Sequence, residues 1–92
     1  MSVYNITYDL NRTGQDYNNV INTIKSHYNW CHYQKSAFLV ETRETAEQIY
    51  RRLAPFFDKN DRLLIINVCG YKAGWLDKEV NDWIMKYVPA CK

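Results

Sequence analysis

Few side chains in this sequence stand where they could do chemistry, and Asp9 is the first of them. It follows Tyr8 at the end of a run in which Tyr4, Ile6, Tyr8 and Leu10 alternate with Asn5, Thr7 and Asp9. Alternation with a period of two marks a strand with one buried and one more polar face. A carboxylate at the end of such a strand reaches solvent and can hold a divalent cation. One carboxylate is a poor magnesium site, because magnesium takes near-octahedral oxygen ligands and usually keeps several waters. A two-fold dimer that brought two copies of Asp9 together would supply the second acid. The other reading of Asp9 is a turn cap bonded to Asn11 or Thr13, as short acidic side chains at loop starts often are.

The remaining chemistry-bearing residues are weaker candidates. His27 and Cys31 are four apart and His32 follows directly. In a strand, however, Cys31 and His32 point to opposite faces, and no second ligand pair has suitable spacing. Cys31 reads better as a small buried hydrophobe. Ser36, Cys69 and the two histidines form no nucleophile–base pattern, and there is no glycine-rich phosphate loop and no H-E-x-x-H arrangement. Arg51 and Arg52 are the only adjacent basic pair outside the termini. Doubled in a dimer they would make a phosphate-binding ridge; with Glu44 and Glu47 nearby they read equally as an ordinary solvated helix surface.

The elements that must position these residues follow from periodicity. After the first strand, Asn11 to Gln15 is turn chemistry. A helix begins at about Asp16, whose charge suits the positive end of the helix dipole, with Tyr17, Val20, Ile21, Ile24 and Tyr28 on one face. Trp30 to Gln34 and Ala37 to Thr42 are two β-rich runs joined through Lys35 and Ser36. Thr42 is the expected N-cap of a second helix that carries Ala46, Ile49, Tyr50 and Leu53 inward and places Glu47 four residues before Arg51. Pro55 ends that helix. Lys59-Asn60-Asp61 is a turn, and Leu63 to Cys69 is a strand expected to be covered on both faces. Gly70 and Gly74 bracket an aromatic loop with Tyr71 and Trp75. Asp77 then caps a last helix with Leu76, Val80, Trp83, Ile84 and Tyr87 as its apolar stripe.

The order strand, helix, strand, strand, helix, strand, helix gives an α+β fold: a ferredoxin-like βαββαβ sandwich with an appended C-terminal helix. The two helical crossovers imply parallel neighbours. Residues 1–92 make a single domain, with its core at about 2–70 and the aromatic loop and helix at 71–88. Helices on one face only would leave Leu63, Ile65, Leu39 or Phe38 on an open sheet face, which a two-fold homodimer would bury.

Composition bounds the rest. The chain has 92 residues, 47% of them hydrophobic, including eight tyrosines and three tryptophans. That is a folded composition, and at this length one core uses most of the apolar residues, leaving little for a deep private cleft. A net charge of +2 permits nucleic-acid binding without announcing it. Three cysteines without a C-x-x-C pair argue against a disulfide framework or a zinc finger. No apolar run is long enough for a membrane span, and Met1-Ser2-Val3-Tyr4 lacks the start of a signal peptide. The setting read from this is reducing and cytoplasmic.

Tyr8-Asp9 closing the first strand, the run Tyr33-Gln34-Lys35-Ser36-Ala37-Phe38, and Asp61 before an apolar strand together resemble the second CRISPR-associated protein family, the small dimeric partner of the spacer-integration complex. The resemblance covers roughly the first three-quarters of the chain, and the chain also looks like VapD-type relatives linked to RNA cleavage. It implies a homodimer in which Asp9 is the metal-binding and catalytic carboxylate of a magnesium- or manganese-dependent endonuclease acting on RNA or DNA. It gives Ser36 and Phe38 a part in the fold or the dimer interface. Arg12, Arg51 and Arg52 are the candidate nucleic-acid contacts. Two other functions remain open: a non-catalytic nucleic-acid-binding or assembly module, and a protein-interaction module that uses the loop from Tyr71 to Trp75 to hold a larger partner.

Overall fold

The computed structural model describes residues 1–10, 17–70 and 73–91. Its elements are β1 (Ser2–Asp9), α1 (Asn18–His27), β2 (Asn29–Gln34), β3 (Ala37–Thr42), α2 (Ala46–Leu53), a single 3-10 turn (Ala54–Phe56), β4 (Arg62–Val68) and α3 (Lys78–Tyr87). The fold is α+β, with one four-stranded sheet in the order β2-β3-β1-β4. Every neighbouring pair is antiparallel, which corrects the expectation of parallel neighbours. Each helical crossover skips one strand, so the strand it bypasses lies between the two it joins.

One face of the sheet carries the main core. Tyr4, Ile6, Tyr8 and Leu10 of the first run, with Phe38 and Val40, pack against Val20 and Ile24 of α1 and Ile49 and Leu53 of α2. Leu63 and Ile65 pack on this side too, so neither they nor Phe38 faces an open sheet surface. The second helix is capped by Thr45 rather than Thr42. Thr45 accepts from the Gln48 backbone N–H at 3.2 Å, and the Gln48 side chain accepts from the Thr45 N–H at 2.8 Å, a reciprocal capping box. Thr42 closes β3 instead, and its hydroxyl accepts from the Glu44 N–H. Tyr50, expected inward, is half-exposed.

The second face is where expectation and structure part most. It is not open along its length, because α3 lies across one end of it. Val3, Cys31, Leu39 and Val80 form a second buried cluster, flanked by Val68, Leu76, Trp83, Ile84 and Tyr87. The apolar stripe read for the last helix is thus the stripe it buries. The other end of this face stays uncovered: Leu64 and Ile66 of β4 are 55% and 50% exposed, so β4 is not covered on both sides.

The cysteines bring a second correction. Cys69 and Cys91 are joined as a disulfide across a Cα–Cα distance of 5.1 Å. It ties the residue after β4 to the segment after α3, and the Gly70 N–H donates to the Pro89 carbonyl at 2.8 Å beside it. An odd cysteine count concealed one intrachain pair and one buried free thiol, Cys31.

Candidate functional site

The end of β1 is fixed from the core side. Tyr8 is buried, its ring 5.7 Å from that of Tyr17 and 6.2 Å from that of Phe57. Its backbone N–H donates to the Ser36 carbonyl at 3.1 Å and its hydroxyl reaches the Lys35 carbonyl at 3.5 Å. Burial, then the neighbouring Tyr17, pushes the Tyr8 phenol up to about 12, so it stays a neutral donor. Because successive side chains alternate, anchoring Tyr8 in the core turns Asp9 to the opposite face, where it is exposed.

On that face Asp9 is the register partner of Arg62, and Thr7 that of Leu64. Thr7, Asp9, Arg62 and Leu64 border a shallow hollow of about 320 Å³. Asp9 therefore lies beside the uncovered apolar strip, at the end of the sheet that α3 leaves bare. The Arg62 guanidinium donates backward to the Asp61 carbonyl at 3.0 Å. Asp61, quoted in the family resemblance, is buried and organises its turn, its carboxylate accepting from the Asp58 N–H at 2.9 Å.

Among the described residues no group of three His, Cys, Asp or Glu side chains could hold a metal. His27 and Cys31 do not converge with His32: Cys31 is buried beneath α3, while the His32 ring stacks on Phe38 on the other face, 4.0 Å between centroids. Ser36 and Phe38 of the quoted strand run serve the fold, Ser36 through the carbonyl that holds Tyr8 and Phe38 as a fully buried core ring.

The basic candidates separate. Arg12 lies outside the described residues. Arg51 is exposed and pairs with Glu47 at 2.8 Å, the four-residue spacing read from the sequence. Arg52 is engaged elsewhere. Its Nε donates to the Tyr28 hydroxyl at 3.0 Å and its Nη2 to Glu44 Oε2 at 2.5 Å, while Tyr28 donates to Glu44 Oε1 at 2.6 Å. This closed triangle ties the end of α1 to the end of α2. The hydrogen bond from Tyr28 holds the Glu44 carboxyl below the usual carboxylate range, and burial pushes the Tyr28 phenol up to about 12. Sequence spacing gave no signal for the triangle, since residues 28, 44 and 52 come from three separate segments.

No helix among the described residues is long and apolar enough to cross a membrane. Compared with known proteins, the chain matches no family profile, no curated protein and no solved structure.

Proposed function

We propose that this chain acts on nucleic acid as a homodimer with the ferredoxin-like fold, in the manner of the second CRISPR-associated family and its VapD-type relatives. In this reading the two Asp9 carboxylates approach across the dimer seam, form a magnesium or manganese site and serve endonucleolytic cleavage of RNA or DNA. The observation that carries the reading is the position of Asp9: exposed at a strand end, on the same face as the uncovered Leu64 and Ile66. Exposed apolar side chains on a sheet face favour self-association, and a two-fold axis through that strip would bring both copies of Asp9 to one seam. Among the described residues no three His, Cys, Asp or Glu side chains of one chain gather to hold an ion, and in this proposal the second copy supplies the second carboxylate. The reading belongs to a cytoplasmic protein, and a larger protein partner would meet the dimer at a surface away from the seam.

The test is cleavage of single- and double-stranded RNA and DNA with magnesium or manganese, comparing wild type with Asp9→Asn at matched dimer content. Loss of cleavage in the variant supports the reading; cleavage that persists removes Asp9 from it.

A second reading, a non-catalytic binding or assembly module, has its own support. Arg62 is the register partner of Asp9, so a basic residue stands on the strand beside the carboxylate. It expects salt-sensitive binding without cleavage. Arg51→Ala is the informative variant, because Arg52 is held in the Tyr28–Glu44 triangle. Undiminished affinity in that variant removes α2 as the contact surface.

A further inference from the structure

We infer that the Cys69–Cys91 disulfide is a redox latch for α3: opening it frees the helix from the sheet and uncovers the buried thiol Cys31. The inference is independent of the proposed function and rests on how loosely α3 is otherwise held.

Val80 alone is buried within α3, whereas α1 and α2 each bury two side chains. The rest of the stripe, Trp83, Ile84 and Tyr87, is only partly buried against the sheet. A crevice of about 280 Å³ remains between helix and sheet, bordered by Asn5, Tyr33, Leu39, Val68 and Ile84. Close packing is therefore incomplete there, and the dispersion contacts that hold a core together are partly forfeited. Two polar atoms of α3, Asn81 Oδ1 and Trp83 Nε1, are buried with no hydrogen-bond partner among the described residues. Each regains a partner in water when the helix lifts, which favours release.

The covalent tie counters these deficits. It spans a sequence separation of 22 that encloses the whole helix. Closing a loop of that length tightens α3 docking by on the order of a hundredfold over the open chain. The chain is also built to turn at the near end of this loop. Gly70 has φ +84° and a Cβ there would meet the Cys91 sulfur at 3.0 Å; Gly74 has φ +157°. Both conformations favour glycine.

Chemistry at the latch is open to solvent, because Cys69 and Cys91 are both exposed. A dithiol reductant attacks one sulfur through its thiolate and forms a mixed disulfide. Its second thiol then resolves that bond, leaving two cysteine thiols here and one disulfide on the reductant. Exposed disulfides are, as a class, the labile and regulatory ones. Beneath the helix, Cys31 is shielded by Val80, and burial pushes its thiol up, so it is inert while α3 is docked. Once the helix leaves, Val68 and its register partner Val3 extend the exposed strip of Leu64 and Ile66, and Leu39 is uncovered on the far side of Asn5.

The test measures Cys31 alkylation by iodoacetamide, followed by mass spectrometry, in the oxidised full chain and in Cys69→Ser/Cys91→Ser. The expected result is alkylation faster by on the order of tenfold or more in the variant, as local opening exceeds global unfolding. Equal rates would overturn the latch. Hydrogen exchange on wild-type protein, oxidised and then reduced with dithiothreitol, keeps the test independent of how well the variant folds. Amides of residues 78–87 should lose protection while those of β1 and α1 keep it. Unchanged protection in α3, or loss of protection everywhere at once, would overturn the inference.

Discussion

Replacing Glu44 with Gln tests whether the Tyr28–Glu44–Arg52 triangle clamps α1 to α2. The substitution keeps shape and one acceptor but removes the charge that both donors address, at 2.6 Å from Tyr28 and 2.5 Å from Arg52. Hydrogen bonds to a charged group contribute ~1.5–3 kcal/mol. The Arg52 and Glu44 side chains are 33% and 27% exposed, and solvent screening at such sites places the loss at the lower end, about 1.5 kcal/mol. For a domain of this size that corresponds to a fall in Tm of roughly 6–12 °C. Urea denaturation at neutral pH followed by circular dichroism reads the change directly. A double-mutant cycle with Arg52→Met should return a coupling of about 1 kcal/mol. The pH dependence carries the sign. Glu44 titrates below its ordinary range, chiefly through the Tyr28 hydrogen bond, so its contribution is full above the ordinary carboxylate pKa and is lost as pH falls through the lowered one. Tyr28 is raised from 10.0 to about 12, chiefly by burial, so its contribution is full below pH 10 and is lost as pH climbs toward 12. Glu44→Gln should therefore match wild type in acid and fall below it near neutrality. A difference under about 0.5 kcal/mol at neutral pH, within the range of an ordinary surface substitution, would refute the clamp.

Other substitutions have defined outcomes. Thr45→Ala should cost about 1 kcal/mol in urea denaturation, because it removes one half of the capping box. Leu53→Ala should cost ~2–5 kcal/mol by the same measurement, since Leu53 is fully buried between α2 and the sheet. Leu64→Asp should leave monomer stability almost unchanged, as the side chain is more than half exposed, while abolishing any dimer seen by sedimentation. Arg51→Ala should shift stability by less than about 0.5 kcal/mol, because its pair with Glu47 is solvent-exposed.

Much of the fold was legible because short-range signals carried it. The alternation from Tyr4 to Leu10 located β1 and its buried face, and the three-four spacing of Tyr17, Val20, Ile21, Ile24 and Tyr28 located α1 and its core side. The stripe from Leu76 to Tyr87 identified α3, but nothing in its spacing told which surface it would cover, so the second sheet face was expected to be open. Residue pairs that meet only through topology were hidden. Cys69 and Cys91 look unrelated along the chain and meet because α3 returns the backbone to the end of β4. Thr42 and Thr45 are both acceptable caps, and the choice fell to Thr45 because Gln48 stands three residues on. At the candidate site, the strand reading of β1 put Asp9 on the exposed face. Its neighbours there, Arg62, Leu64 and Ile66, depended on the pairing of β1 with β4.

The most direct test of the proposed function is manganese binding measured by electron paramagnetic resonance, alongside sedimentation on the same samples. A shared Asp9 site requires one tightly bound ion for every two chains, lost in Asp9→Asn and lost as well in the Leu64→Asp monomer, which keeps Asp9. Binding that scales with each chain and survives either substitution would contradict it.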